Sequence, residues 1–302
     1  MDINVVVGQV ILLFMIIIVG FYARKRKIIT ADAADKLSTL LLQITMPMLI
    51  LSSFQFELSK ELLRNAVLVL VISFSVHFFS MLAGKLLYRR FPKQIRNVLK
   101  FVTVFPNCAF MGFPILESIF GSKGIFYGTF YIIPFNILSL SYGVMVFTGK
   151  SDKDTLKKIV THPVIVSVAA GILLLLFQLK IPGPVFKAIT MLGSMTTPLS
   201  MLIVGSLLAS IPARELLRGK AIYIGSAIRL IGLPILVLGA LSLLPLPKEV
   251  AQICVILTAM PAAATTAIFA EKFGGDAMLA ARLVSATTIL SILTIPLMLL
   301  WV

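Results

Sequence analysis

The sequence predicts an all-α integral membrane protein of ten transmembrane helices, arranged as two five-helix repeats of opposite orientation, with the fourth and ninth helices broken in mid-membrane. Three observations carry that expectation. First, 59% of the 302 residues are hydrophobic and only 13% are charged, with a mean hydropathy of +1.05. A soluble fold needs about a quarter of its residues charged to cover its surface. Second, ten apolar stretches approach or exceed the roughly 20 residues that span a hydrocarbon core of about 30 Å as helix. Third, the cations alternate in density from loop to loop along the chain.

The ten stretches lie near 5–23, 35–54, 63–87, 95–117, 124–148, 163–180, 184–210, 218–243, 250–271 and 277–301. None alternates in polarity as a barrel strand would. The first is followed by Arg24-Lys25-Arg26-Lys27 and preceded by no basic residue, flanks that suit a retained helix rather than a cleaved leader. Twenty of the 27 lysines and arginines fall in loops after odd-numbered spans, six in loops after even-numbered spans, and Arg229 lies inside the eighth. Cytoplasmic loops are enriched in cations, so the odd loops are expected in the cytoplasm of a cell (inner) membrane protein, with both termini outside. The net charge of +15 is thus a topology signal, with anionic lipid headgroups as its natural neighbours, and no nucleic-acid partner is implied.

The chain also resembles itself. Pro47 and Pro198, His77 and Arg229, Pro106 and Pro261, and Phe120-Gly121 and Phe273-Gly274 recur at offsets of 151 to 155 residues. Two repeats of five spans each, 1–148 and 163–302, must enter the membrane from opposite faces because five is odd. Residues 149–162, with Ser151, Asp152, Lys153 and Asp154, form the cytoplasmic linker between them. Inverted repeats of this kind place the substrate near the midplane, where discontinuous helices meet.

Pro106 and Pro261 mark where such discontinuities are expected. Each sits near the centre of its span, removes one helical hydrogen bond and clashes with the preceding turn. Phe105-Pro106-Asn107-Cys108-Ala109 and Met260-Pro261-Ala262-Ala263-Ala264-Thr265-Thr266 supply small residues for close approach and polar ones for freed backbone groups. A half-helix starting after each break offers unpaired N–H groups and a positive dipole end, which suits an anion. The polar residues at membrane depth are Gln43, Thr45, His77, Asn107, Asn136, Arg229, Thr265, Thr266, Thr287 and Thr288. Asn107 stands out because an amide both donates and accepts. Arg229 suits an anion or the capping of helix carbonyls. His77 reads first as a packed, hydrogen-bonded histidine, and the threonines as bonding the preceding turn of their own helices. No Asp or Glu falls in mid-span, which disfavours a carboxylate-built cation site. Cys108 and Cys254 read as buried small hydrophobes. Enzyme, cofactor and metal signatures are absent from the sequence, so neither a cofactor nor catalysis is expected. A membrane sensor would need a signalling domain that ten spans in 302 residues leave no room for.

Leu41 to Leu51 around Met46-Pro47-Met48, the stretch from Phe105-Pro106-Asn107 to Gly112-Phe113-Pro114, Pro134-Phe135-Asn136-Ile137, and Met260-Pro261-Ala262 together resemble the auxin efflux carrier family, which includes PIN-type carriers and malate-permease-like proteins. The resemblance runs through all ten spans, without the long central loop of the plant members. It implies helices that cross at the two prolines and an elevator-like movement of a transport domain against a scaffold built from the first, second, sixth and seventh spans. It also implies a homodimer through that scaffold and an architecture shared with bile-acid/sodium symporters. Asn107 and Asn136 match family positions that line the site, whereas Ala262-Ala263-Ala264 stands where some relatives carry a more polar residue. The expected function is secondary transport of a small organic anion, a carboxylate, with Asn107, Pro106, Asn136, Pro261, Ala262, Thr265, Gln43 and Arg229 as candidate site residues. Sodium- or proton-coupled symport of such an anion is the alternative.

Overall fold

In the computed structural model, residues 3–150 and 154–301 are described. Ser151, Asp152 and Lys153 of the expected linker lie outside them. Among the described residues the chain is helical throughout, apart from turns and one isolated antiparallel bridge. The longer helices are α1 (Ile3–Lys25), α2 (Ala31–Ser52), α3 (Lys60–Leu87), α4 (Lys93–Val104), α5 (Cys108–Thr148), α6 (Pro163–Leu176), α7 (Gly183–Leu208), α8 (Lys220–Ser242), α9 (Lys248–Ala259), α10 (Thr265–Lys272) and α11 (Ala277–Trp301), with short helical turns at Thr155–Val160 and Ala213–Leu216. Six of these, α2, α3, α5, α7, α8 and α11, are long and apolar enough to cross a membrane, and α6 is a shorter apolar helix. The outer surface agrees with that setting: Ile18, Phe78 and Leu293 are each about two-thirds or more exposed (66%, 71% and 68%), an apolar exterior that lipid tolerates and water does not.

The helix ends follow local chemistry. Thr30 and Ser59 accept from the N–H groups of Ala33 and Leu62 and so cap α2 and α3. Arg24 and Lys25 occupy the last turn of α1, where cations complement the helix dipole. The expected fourth span is cut into α4 and the start of α5, and the expected ninth into α9 and α10, with the breaks at the two prolines. The upper part of the fourth span then runs on into the fifth within α5. Gly121, at φ 58° and ψ −146°, bends the chain there, a conformation that glycine adopts at little steric cost.

Three helices, α2, α5 and α8, contain four wide, π-helical turns: Leu41–Thr45, Cys108–Gly112, Ser139–Gly143 and Ile228–Gly232. In three of them the next residue but one is proline. Met46, Phe113 and Leu233 donate five residues back, to Leu41, Cys108 and Ile228, and Pro47, Pro114 and Pro234 follow. A proline ring clashes with the carbonyl four residues earlier. Widening the turn by one residue moves that carbonyl aside and keeps the helix continuous.

The packing divides the helices into two groups. Helices α1, α2, α6 and α7 pack mainly on one another, and α3, α4, α5, α8, α9, α10 and α11 form the other group. In the first group α1 and α7 approach backbone to backbone: a Cβ on Gly20 would collide with the carbonyl of Leu202, and one on Gly205 with that of Ile17. Gly205→Val is therefore expected to lower stability by about 1–3 kcal/mol through overpacking. Gly8→Ala, where nothing lies within 4 Å, should leave the melting temperature of the purified protein unchanged. Equal melting temperatures for the two variants would contradict this packing.

Candidate functional site

The two breaks meet. Pro106 and Ala262 form an antiparallel bridge, in which Asn107 N donates to Pro261 O (2.7 Å) and Ala263 N to Phe105 O (3.0 Å). Proline cannot donate, so each extended segment gives the N–H of a neighbouring residue to the other. Ala262 N is satisfied from α11 by Thr287 Oγ1 at 3.1 Å, while that hydroxyl bonds back to Leu283 O. Buried backbone that leaves a helix must find such partners. The small side chains of Ala262 and Ala263, both buried, let the two strands come this close.

Arg229 holds the crossing from the other side. It is 1% exposed, and its Nε donates to Met260 O (3.1 Å), its Nη1 to Thr103 O (2.8 Å) and its Nη2 to Thr258 O. These carbonyls lie at the C-terminal ends of α4 and α9, where helices lack intrahelical donors and carry partial negative charge. Of the two readings open for Arg229 in the sequence, the geometry is that of carbonyl capping. The guanidinium fork suits several acceptors at once, and Arg229 does not line the cavity described next.

That cavity lies between the two helix groups, with a volume of about 90 Å³. Leu42, Met46 and Val164 face it from α2 and α6; Asn107, Cys108, Asn136, Ser139, Ala264, Thr265 and Phe269 from the other group. The first residues of α5 and α10 thus end at one space; of their leading N–H groups, those of Cys108 and Phe110 donate to Pro106 O and Asn107 Oδ1, and that of Thr266 to Ala263 O. No Asp, Glu, Lys or Arg is among the lining residues.

Asn107 is 3% exposed. Its Oδ1 accepts from Phe110 N at 3.3 Å and caps the new helix, and its backbone O accepts from Met111 and Gly112. Its Nδ2 has no partner among the described residues. Asn136 donates its own Nδ2 to Ile132 O at 3.0 Å, one turn back. Thr265 Oγ1 is buried with no hydrogen-bond partner. The structure therefore brings Asn107, Asn136 and Thr265 to one cavity, with Pro106, Pro261 and Ala262 in the crossing directly behind it. It does not bring Gln43 there. Gln43 sits exposed on the wide turn Leu41–Thr45, where the extra residue turns it outward and leaves Leu42 and Met46 facing the space.

The other polar residues at this depth make local bonds, although His77 Nε2 is buried without a partner. His77 Nδ1 donates to Ser73 O (2.8 Å) amid Phe105, Tyr131 and Phe135. Thr45, Thr266 and Thr288 bond within their own turns. Glu117 accepts from Thr197 Oγ1 at 2.6 Å. Cys108 and Cys254 are buried free thiols. Sequence reasoning missed His162, the residue before α6, which lines the cavity and whose Nδ1 is buried without a partner. The available signal was that it is one of only two histidines in the chain.

Among known proteins, the chain matches the family described as membrane transport protein over residues 5–157 and 147–299. It is 24% identical over 300 residues to an uncharacterized transporter of Methanocaldococcus jannaschii, covering 95% of this chain and 96% of that protein. A similar relation, 24% over 294 residues and 95% of each chain, holds to an uncharacterized transporter of Methanothermobacter thermautotrophicus. With apolar helices, a broken-helix crossing beside a central cavity, and a family match from end to end, the chain belongs to the membrane transport protein family, that of the auxin efflux carriers.

Proposed function

We propose that the chain is a secondary transporter that moves a small organic anion, a carboxylate, by alternating access, with the cavity at the crossing as its binding site. One observation carries this reading: the starts of α5 and α10 and the unpartnered Nδ2 of Asn107 converge on a space lined by no acidic side chain. The negative ends of α4 and α9 are meanwhile covered by Arg229. The field in the cavity is therefore that of helix N-termini, which favours anions. An amide donor to a carboxylate adds a charge-assisted hydrogen bond.

The ten-span, 5+5 inverted arrangement belongs to the same proposal. The bridge joins positions at nearly the repeat offset, Pro106 to Ala262, which supports it. An elevator-type movement is supported by the packing of α1, α2, α6 and α7 as one group, with the cavity between it and the other helices. In this reading the first group is the scaffold and the surface of a homodimer, both termini lie outside, and the protein resides in the cell membrane as an efflux carrier or permease. Screening purified protein by thermal shift with a panel of carboxylic acids and a matched panel of amines tests the anion reading. A carboxylate at about 100 times its Kd should add about 2.7 kcal/mol of stability. Stabilisation by the amines and not by the acids would refute it.

A further inference from the structure

We propose that His162 is the titrating partner of the transported anion: it takes up a proton as the anion enters, so that anion and proton occupy the cavity together. The inference rests on the anion-site reading above and adds to it a co-substrate. His162 and Cys108 are the titratable residues lining the cavity among those described. The Cys108 thiol is already turned to Leu257 O. His162 Nδ1, in contrast, is buried and has no hydrogen-bond partner, as is Thr265 Oγ1 across the same space. Two buried polar atoms left without partners at one cavity are costly unless something that visits the cavity satisfies them. A carboxylate oxygen matches both, accepting from the imidazole N–H and from the threonine hydroxyl.

The ring is placed to exchange its proton. His162 is half-buried at the mouth of α6, and its backbone N–H donates to Ile159 O in the turn Thr155–Val160. Its Nδ1 is shut away from solvent, while the residue as a whole is only half-buried. A proton from water enters at Nε2 while Nδ1–H donates to the anion; the imidazole becomes imidazolium, the carboxylate stays ionised, and the proton returns to water when the anion leaves. Burial pulls the proton affinity of the ring below the usual histidine range. The titratable groups on the elements around it are Asp154, Lys157 and Lys158 on its own turn, Tyr142 on α5, Cys108 across the cavity, and the exposed Asp32–Lys36 pair on α2. The empty cavity therefore holds a neutral imidazole at neutral pH, and an adjacent anion favours the charged form. Sign and direction follow: a ring whose pKa is higher with the anion bound than without makes binding tighter as pH falls through that interval.

The test uses the full chain in lipid nanodiscs with four probes: malate, succinate, benzoate and indole-3-acetate. With only two histidines in the sequence, isotope-labelled imidazole signals resolve His162 from His77, and His162→Gln assigns them. For at least one probe, affinity is expected to rise about tenfold between about pH 8 and about pH 5.5, with the His162 titration moving upward on binding. His162→Gln should bind the same probe with an affinity that no longer depends on pH. A probe whose binding Asn107→Ala abolishes, but whose affinity and His162 titration are the same at both pH values, overturns the proton role and leaves the anion site standing. Absence of binding by all four at either pH overturns both.

Discussion

Asn107→Asp is expected to keep the fold and lose transport. The two jobs of this side chain are separable. Oδ1 caps the start of α5 by accepting from Phe110 N, and a carboxylate does that at least as well at a helix N-terminus. Nδ2 is the free donor facing the cavity, and aspartate replaces it with an acceptor bearing negative charge. Repulsion of an incoming carboxylate and loss of a charge-assisted hydrogen bond, worth about 1.5–3 kcal/mol, should reduce uptake into proteoliposomes by about tenfold to a hundredfold or more. Asn107→Ala should lose a similar factor in uptake and about 1 kcal/mol of stability with the cap. Wild-type uptake by Asn107→Asp, at an unchanged melting temperature, would remove Asn107 from the site.

Arg229→Met should have the opposite profile, failing first in stability. Its guanidinium serves three carbonyls from two helices, and methionine of similar length leaves all three buried without donors. Each unpaired group costs about 1–3 kcal/mol, so the total is several kcal/mol, read as a melting temperature well below that of the wild type or as loss of the monodisperse species in detergent. Arg229→Lys, with a compact ammonium in place of a planar fork, should fall between the two. A substrate-binding arginine would behave otherwise: Arg229→Met would melt like the wild type and only transport would suffer.

The contrast between these residues shows what could be read without coordinates. Pro106 and Pro261 announced the breaks because proline acts on its own helix, and local effects are written locally. Asn107 followed from its place directly after one break. The choice for Arg229 between anion and carbonyls was not legible, since the carbonyls belong to Thr103, Thr258 and Met260, far from it along the chain and brought close only by packing. Gln43 was misplaced for a related reason: helical periodicity assumes 3.6 residues per turn, and the wide turn Leu41–Thr45 breaks that count just where Gln43 sits. His162 escaped notice because a residue between helices carries no period from which to infer a facing. The expected boundary between the fourth and fifth spans falls at Gly121, whose non-helical φ and ψ divide α5 into two helical parts.

The wide turns have a consequence for how the cavity wall could be rebuilt. One surplus residue advances everything beyond it by about 100° around the helix axis. Three of the four turns, at Leu41–Thr45, Cys108–Gly112 and Ser139–Gly143, contribute Leu42, Cys108, Ala109, Phe110, Ser139 and Leu140 to the cavity. Each is a one-letter insertion in an otherwise regular word. Deleting that letter would rotate all that follows, so a change of a single residue in length would change which side chains are offered to the substrate.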